Sequence, residues 1–166
     1  RGFLIMRFDA LQLAFILVLI TLPASANSDI SATVGLEGTW RFRLDGDDRG
    51  VNEKWYGHRL TDTVQLPGTT DENRKGFRNE RPETHRLTRL YSYVGPAWYQ
   101  RDIQIPTDWQ GKRITLFLER SKDTTAWIDD HACGTQNSLS TPHVYELSSL
   151  APGRHTLTIR VDNTCL

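Results

Sequence analysis

The acidic side chains are the first candidates for chemistry, because paired carboxylates can hydrolyse glycosidic bonds. The chain has 20 aspartates and glutamates, and two Asn-Glu dipeptides stand out, Asn52-Glu53 and Asn79-Glu80. A retaining glycoside hydrolase needs an acid and a nucleophile about 5 Å apart, each held to within about 0.5 Å. Glu80 lies in the middle of a long charged segment, with no strand end to hold it. We therefore predict no catalytic residue in this chain.

The histidines and cysteines form no recognisable metal or nucleophile motif. No H-x-x-x-H or C-x-x-C spacing occurs, and no serine lies in a G-x-S-x-G elbow. The run "DGDD", Asp45–Asp48, resembles half of a calcium loop but lacks the glutamate at the twelfth position, which favours a charged hairpin tip. We predict no metal site and no cofactor. His155 is expected at the core or its rim, and His143 is expected to cap a turn or to bond across strands.

Aromatic side chains are the remaining candidates for ligand binding, because a sugar ring has an apolar C–H face that packs on an aromatic plane. Trp98 and Tyr99 stand side by side after a Gly-Pro turn, in "YVGPAWYQRDIQIP". Aromatic residues of a sandwich belong more often to its core. We predict that Tyr99 lies in the core and that Trp98 lies on the opposite face, packed against the long loop that precedes it.

That loop is the segment Thr70–Tyr93, which is dense in charge. Its charged residues are Asp71, Glu72, Arg74, Lys75, Arg78, Glu80, Arg81, Glu83, Arg86 and Arg89. Loops longer than about 12–15 residues are uncommon in compact domains and are often functional or mobile. Two interpretations stay open: a solvated, flexible excursion, or a loop that leaves the sandwich to meet a neighbouring domain.

Short strands must position all of these side chains. In "TWRFRL", Trp40, Phe42 and Leu44 fall on one side of the chain and the two arginines on the other, the period of a half-buried strand. Further strand candidates are "DTVQLPGT", "WYQRDIQI", "KRITLFLER", "TTAWIDD" and "RHTLTIRVDN". Strands of this kind, separated by Gly, Pro and Asp turns, predict an all-β antiparallel sandwich. A helix at Val51–Trp55 is only weakly indicated.

The N-terminal part has a different character and predicts a secretory signal region at residues 1–26, with a start at Met6. A positive residue, an apolar run at Leu11–Leu22 and the small residues "ASA" follow in order. The apolar run is shorter than the ~20 residues that span a bilayer. We predict export to the periplasm or the extracellular space without a permanent membrane anchor, then a linker at 27–35 and one domain at 36–166.

Charge and cysteine content exclude some partners. Twenty basic residues balance 20 acidic ones, and without a basic excess nucleic acid is not an expected partner. Cys133 and Cys165 are the only cysteines. Export permits a disulfide between them, but their spacing does not demand one.

Several segments, in this order, resemble the N-terminal sugar-binding domain of glycoside hydrolase family 2, the β-galactosidase and β-glucuronidase family. They are "GTWRFRLD", "VQLPGTTDENRKG", "GPAWYQRDIQIPTDWQGKRITLFLERSKDTTAWIDD" and "TPHVYELSSLAPGRHTLTIRVDN". The resemblance covers about Leu36 to Asn163. It implies a jelly-roll β-sandwich, similar to galactose-binding domains. In complete members an immunoglobulin-like domain and a TIM barrel with the two catalytic glutamates follow.

The resemblance implies an accessory domain of an exported, retaining, β-galactosidase-like enzyme that acts on β-linked glycans in carbohydrate metabolism. The chain alone is expected to be inactive. In galactosidases of the family, a loop of this domain offers an asparagine at the mouth of the barrel, whereas the matching "RLYSYVG" here has none. Arg89, Tyr91 and Tyr93 become candidates for substrate or barrel contacts. The competing hypotheses are a stand-alone carbohydrate-binding or lectin-like module without catalysis, and a structural adhesion domain.

The family pattern also makes a local prediction for the turn Asp129–Gly134. Members usually carry glycine in this turn, after aspartate or asparagine. Aspartate tolerates left-handed geometry, so we expect Asp130 to replace that glycine. Cys133 is expected to be a small apolar filler.

Overall fold

A computed structural model describes residues 32–80, 89–147 and 150–164. The chain divides into two compact units, Arg1–Val34 and Gly35–Leu166. The first unit lies almost wholly outside the described residues, so the predicted signal region falls there too. No helix within the described ranges is long and apolar enough to cross a membrane.

The described residues of this unit form ten strands and two single-turn 3-10 helices. The strands are β1 Gly38–Leu44, β2 Asp62–Leu66, β3 Phe77–Arg78, β4 Tyr91–Ser92, β5 Pro96–Ile105, β6 Thr115–Leu118, β7 Asp123–Ile128, β8 His131–Asn137, β9 His143–Glu146 and β10 Gly153–Asp162. The 3-10 helices are Trp55–Gly57 and Thr107–Trp109. A six-stranded antiparallel sheet has the order β2-β1-β5-β10-β7-β8, and the pairs β6-β9 and β3-β4 form two smaller sheets.

The inner face of the large sheet packs on the β6-β9 pair. Phe42, Leu157 and Ile159 from the large sheet share one buried cluster with Leu116 and Tyr145 from the small one. Burying a side chain of this size contributes about 1.5–3 kcal/mol relative to leaving it exposed. This arrangement of two antiparallel layers over a common core confirms the predicted all-β sandwich.

The pair Trp98-Tyr99 divides between the two faces of β5, as predicted. Tyr99 packs on the inner core, with its ring centroid 5.0 Å from that of Phe42 in an edge-on arrangement. Burial raises the pKa of Tyr99 to about 12. Trp98 is fully buried on the outer face, in a second cluster with Trp55, Leu60 and Trp127.

The predicted neighbour of Trp98 was wrong. The indole packs against Trp55, Leu60 and Trp127 rather than against the described part of the long loop, and Asp45 accepts a hydrogen bond from Trp98 Nε1 at 2.9 Å. Asp45 also accepts the backbone N–H groups of Arg49 and Gly50 at 2.8 and 2.9 Å. A Cβ on Gly50 would lie 2.5 Å from Trp98 Nε1, so only glycine fits there. Asp45 is therefore a buried anchor, not part of an exposed hairpin tip.

Two local predictions also need correction. Turns occupy the positions of the weakly indicated helix, and a 3-10 helix begins only at Trp55 after the left-handed Lys54 (φ 52°). In the turn between β7 and β8 the left-handed residue is Asp129 (φ 54°), not Asp130. The Asp129 carboxylate accepts hydrogen bonds from Thr156 N and faces His155 Nδ1, both at 2.8 Å, which fixes its backbone against β10. Strand β8 starts directly afterwards, at His131.

Candidate functional site

The long charged segment is closed at its base by a short antiparallel hairpin. Phe77 pairs with Ser92 and Arg78 with Tyr91, and Asn79 N donates to Leu90 O at 2.7 Å. We call strands β3 and β4 with Leu90 the β3–β4 hairpin. Residues 81–88, between its two limbs, lie outside the described residues. The backbone hydrogen bonds between β3 and β4 thus hold the two described limbs together.

The first limb is tied to strand β2 by side chains. Thr69 and Glu72 bond reciprocally, with Thr69 N donating to Glu72 Oε2 at 2.7 Å and Glu72 N donating to Thr69 Oγ1 at 3.1 Å. Asn73 accepts from Gln65 N at 2.7 Å and donates to Gln65 O at 3.0 Å, as a neighbouring strand would. These bonds fold "PGTTDENRKG" into an ordered turn against the edge of the large sheet.

A further ion pair and a glycine complete this limb. Lys75 Nζ lies 2.6 Å from the Asp62 carboxylate on β2, and the hydrogen bond from Lys75 lowers the pKa of Asp62. Gly76 has a φ of +113°, and a Cβ there would lie 2.5 Å from Ser92 O. Glycine thus permits the close approach that lets β3 reach β4.

The second limb is held by side chains of the first limb, of the segment after β10, and of its own Tyr93. Asp71 Oδ1 accepts from Tyr91 N at 2.8 Å. Asn163, just after β10, accepts from Gly95 N at 2.8 Å and donates to Tyr93 O at 2.9 Å. Tyr93 OH donates to Pro96 O at 2.8 Å and accepts from Asp45 N at 3.1 Å. These bonds hold the described parts of the loop on the sandwich.

The β3–β4 hairpin presents apolar and basic groups to solvent. The exposed fractions are 78% for Phe77, 64% for Leu90 and 70% for Val94, just beyond β4. Arg78 and Arg89 are exposed on the same two limbs. Large apolar side chains exposed close together are characteristic of interaction surfaces, and guanidinium groups suit carboxylate partners.

The candidate site residues do not share one environment. Arg89 is exposed and Tyr91 is half-buried on the hairpin. Tyr93 is only 6% exposed and belongs to the inner core, where burial raises its pKa. With its ring buried and its hydroxyl bonded to Pro96 and Asp45, Tyr93 stabilises the base of the hairpin rather than presenting a ring at the surface.

A second feature is an open cleft on the outer face of the large sheet, with a volume of about 520 Å³. We call it the outer-face cleft. Its lining residues are Arg41, Tyr56, Gly57, His58, Arg59, Gln100, Asp102, Asp129, Asp130, Arg154 and Thr156. The segment 56–59 forms one wall and the β7–β8 turn another, over a floor from β1, β5 and β10.

The floor of the cleft is a network of charged and amide groups. Arg41 bonds Asp102 through both terminal nitrogens, at 2.7 and 3.1 Å, and Arg154 Nη2 bonds the same carboxylate at 2.5 Å. These bonds, first from Arg41 and then from Arg154, hold the pKa of Asp102 well below its ordinary value. Gln100 accepts from Arg41 Nε at 2.8 Å and donates to His58 O at 2.8 Å, which fastens the wall to the floor.

The histidines with predicted roles are structural. His143 is 1% exposed and lies 2.5 Å from Thr124 Oγ1 across the sandwich, and its Nε2 accepts from Ser138 N at 3.1 Å. His155 bonds Asp129 and Ala151 O, and the Asp129 hydrogen bond raises its pKa. Both predictions for these residues are confirmed. Among the described residues no group of three or more His, Cys, Asp or Glu is placed to hold a metal ion.

Sequence reasoning missed the anchors of the hairpin. Asp71 and Asn163 bond backbone groups far along the chain, and Asp45 bonds the distant Trp98 indole. A single sequence gives no periodic signal of such bonds. Asp45 and Asn163 do follow the last residues of β1 and β10. The sequence did offer one signal of these anchors, which is a polar residue with several hydrogen-bonding atoms directly after a strand.

A family model and several curated relatives match this chain, and they point to the same family. Residues 34–163 match the profile of "Glycosyl hydrolases family 2, sugar binding domain". The β-glucuronidase of Paenibacillus borealis is 28% identical over 131 residues, covering 77% of this chain and 20% of the relative. The human β-glucuronidase is 27% identical over 144 residues, covering 78% of this chain and 21% of the relative. The chain thus spans about a fifth of the length of these relatives.

The same fold occurs in solved structures. The crystal structure of Ruminococcus gnavus β-glucuronidase matches with a TM-score of 0.62 and 18% identity, over 77% of this chain and 21% of that one. A complex of the R. gnavus enzyme with D-glucaro-d-lactam gives a TM-score of 0.63 and 20% identity over the same shares. At this level of identity the likeness concerns the fold.

Proposed function

Because the chain belongs to the sugar binding domain family of glycosyl hydrolases family 2, we propose that it is the accessory domain of a glycoside hydrolase whose catalytic residues lie outside it. The curated relatives are glycosidases, and the chain corresponds to about a fifth of their length. In the proposed enzyme an immunoglobulin-like domain and a TIM barrel complete the protein. The barrel would carry out retaining hydrolysis through a covalent glycosyl intermediate.

We propose β-glucuronides as the substrate class. The relatives reported above are named β-glucuronidase, and "RLYSYVG" lacks the asparagine expected of a galactosidase. The β-galactosidase-like specificity expected from the sequence is the competing proposal. Export to the periplasm or outside the cell, after removal of residues 1–26, is part of the proposal and is tested by N-terminal sequencing of the secreted protein.

The role of this domain would be to dock the β3–β4 hairpin on the catalytic domain and to complete the rim of its substrate pocket. The observation that carries this proposal is the exposure of Phe77, Leu90 and Val94 on a hairpin whose limbs are both hydrogen-bonded to the sandwich. A pre-ordered surface loses little conformational freedom on docking. Burial of its apolar area contributes about 25 cal/mol per Å². Arg89 and Tyr91 are the proposed contacts to the substrate or the barrel.

The test uses the complete enzyme encoded with this domain and the chain Arg1–Leu166 alone. We expect the complete enzyme to hydrolyse p-nitrophenyl β-D-glucuronide faster than the β-D-galactoside, and the chain alone to hydrolyse neither. Turnover by the folded chain alone would contradict an accessory role. A faster reaction with the galactoside would contradict glucuronide specificity and support the competing β-galactosidase-like specificity.

The docking role has a matched pair of variants. Phe77→Ser should weaken association of the domain with the rest of the enzyme and reduce kcat/KM. Phe117→Ser should leave both unchanged, because Phe117 is similarly exposed, at 56%, but lies on the β6-β9 sheet. Equal losses in both variants, or no loss in Phe77→Ser, would exclude the hairpin as the docking surface.

A further inference from the structure

The carboxylates of the outer-face cleft already have partners. Asp102 accepts hydrogen bonds from Arg41, Arg154 and the Thr156 hydroxyl, the last at 3.2 Å. Asp129 is bonded to Thr156 N and His155. Asp130 lies 2.7 Å from the ring nitrogen of His131. Asp102 and Asp129 therefore have few acceptor positions left for a ligand, whereas Asp130, with a side chain that is 75% exposed, points its remaining acceptor positions at solvent.

The basic groups of the cleft are not used up in the same way. Arg41 is committed to Asp102 and Gln100 through three nitrogens. Arg154 uses a single terminal nitrogen, and its side chain is 72% exposed. Arg59 is exposed in the cleft wall and forms no hydrogen bond or ion pair with any residue in 32–80, 89–147 or 150–164. The unused groups are thus N–H donors on two guanidinium groups, which suit an anionic acceptor.

An aromatic ring completes the lining. Tyr56 stacks on Trp127 with centroids 5.2 Å apart and planes within 5°, so its orientation is fixed by the outer tryptophan cluster. A fixed aromatic ring beside hydrogen-bonding groups matches the chemistry of a sugar, which has an apolar ring face and polar edges. The volume of about 520 Å³ lies within the range of about 300–1,000 Å³ common for small-molecule sites.

We propose that the outer-face cleft binds a uronic acid unit of a glycan, with its carboxylate on Arg59 and Arg154 and its ring beside Tyr56. The domain would then hold an acidic glycan through its own surface. This inference deepens the proposed function, because it rests on a parent enzyme that acts on glycans. The guanidinium groups of Arg59 and Arg154 would also attract a free inorganic anion. Such an anion is therefore the competing occupant of the cleft.

The test is an NMR shift titration of the ¹⁵N-labelled chain Arg1–Leu166 with methyl β-D-glucuronide, methyl β-D-glucoside and sodium sulfate. We expect saturable shifts at residues 56–59 and 154–156 with the glucuronide. The glucoside should bind about tenfold more weakly, since it lacks a charge-assisted hydrogen bond. Arg59→Met with Arg154→Met should weaken glucuronide binding at least about tenfold.

The control is Arg113→Met, because Arg113 is also exposed and paired with one carboxylate, Glu146, but lies outside the cleft. It should leave glucuronide binding unchanged. If the double variant fails to fold, Arg59→Met alone is decisive, since Arg59 has no described partner to lose. No saturable shift, equal binding of the glucoside, sulfate binding as tight as the glucuronide, or an equal loss in Arg113→Met would each overturn the proposal.

The outcomes separate this inference from the proposed function. If the complete enzyme hydrolyses glucuronides but the cleft binds none, only the proposal about the cleft is overturned. If the cleft binds glucuronide but the complete protein has no glycosidase activity, only the proposed function of the parent enzyme is overturned.

Discussion

The two faces of the six-stranded sheet are stabilised by different chemistry. The inner face packs Phe42, Leu157 and Ile159 against the small sheet in one largely apolar cluster, with a buried histidine–threonine contact beside it. The outer face buries tryptophans together with polar groups, and Gln100 and Asp45 are each only 2% exposed. Apolar packing tolerates many sequences of the right volume, whereas a buried polar group must find its partners. The outer face, which carries the cleft, is therefore the more demanding one to specify.

The largest expected difference between the faces comes from two neighbours on β10. Leu157 and Thr158 are both fully buried, the first on the inner face and the second on the outer. Leu157→Ala should lower the free energy of unfolding by about 3–5 kcal/mol through lost burial and a cavity. Thr158→Val keeps the shape and loses one hydrogen bond with Gln100, so about 1 kcal/mol is expected. Urea denaturation of both variants measures the difference, and equal losses would contradict the contrast.

Asp45→Ala tests the outer face more severely. It removes the acceptor of Trp98 Nε1, Arg49 N and Gly50 N. Donors left unsatisfied in a buried site cost about 1–3 kcal/mol, and we expect a total loss of about 2–3 kcal/mol after local rearrangement. The near-ultraviolet circular dichroism of the tryptophans should also change. Asp47→Ala, in the same turn but exposed, is the control and should lose little.

The same contrast explains how much the sequence could predict. Alternation of apolar residues was enough to locate β1, β5, β7 and β10 and to divide Trp98 from Tyr99, because burial on one face leaves a period of two. Strands β3, β4, β8 and β9 were missed. The first two are two residues long and show no period, and in β9 the buried residues are His143 and Tyr145 while Val144 is exposed.

The anchors escaped prediction for a different reason. Trp98 bonds Asp45 at a separation of 53 residues, and Asn163 bonds Tyr93 at a separation of 70. Bonds of this kind depend on tertiary placement alone. The exposed candidates Arg89 and Tyr91 were assigned through the family resemblance, and their contacts with substrate or barrel stay predictions.

A smaller effect is expected at acidic pH, from the floor of the outer-face cleft. Hydrogen bonds from Arg41 and Arg154 lower the pKa of Asp102, so its contribution to stability is present above the unfolded pKa of about 3.9. That contribution is lost as the pH falls through the lower folded value. Asp102→Asn should cost about 1 kcal/mol at neutral pH and less at pH 3. Urea midpoints at both pH values measure this, with the exposed Asp108→Asn as the control, and a pH-independent loss would contradict the ion-pair account.

The smallest effect is expected at the rim, where His155 joins the β7–β8 turn to the segment before β10. Its Nδ1 faces the Asp129 carboxylate and its Nε2 faces Ala151 O, both at 2.8 Å. Both partners are acceptors, so only the imidazolium satisfies both. The hydrogen bond with Asp129 raises the pKa of His155. Its contribution is therefore complete below the unfolded pKa of about 6.5 and is lost as the pH rises through the higher folded value.

His155→Gln should cost less than about 1 kcal/mol at pH 6, and the difference from the unsubstituted chain should shrink towards alkaline pH. Thermal melts from pH 6 to pH 9 measure this trend. His131→Gln is the matched control, because His131 also bonds an aspartate, Asp130, but its side chain is 87% exposed. A difference that stays constant with pH would mean that His155 holds the turn as a neutral ring. The rim would then depend on hydrogen bonding alone, unlike the cleft floor, where Arg41 and Arg154 pair with Asp102.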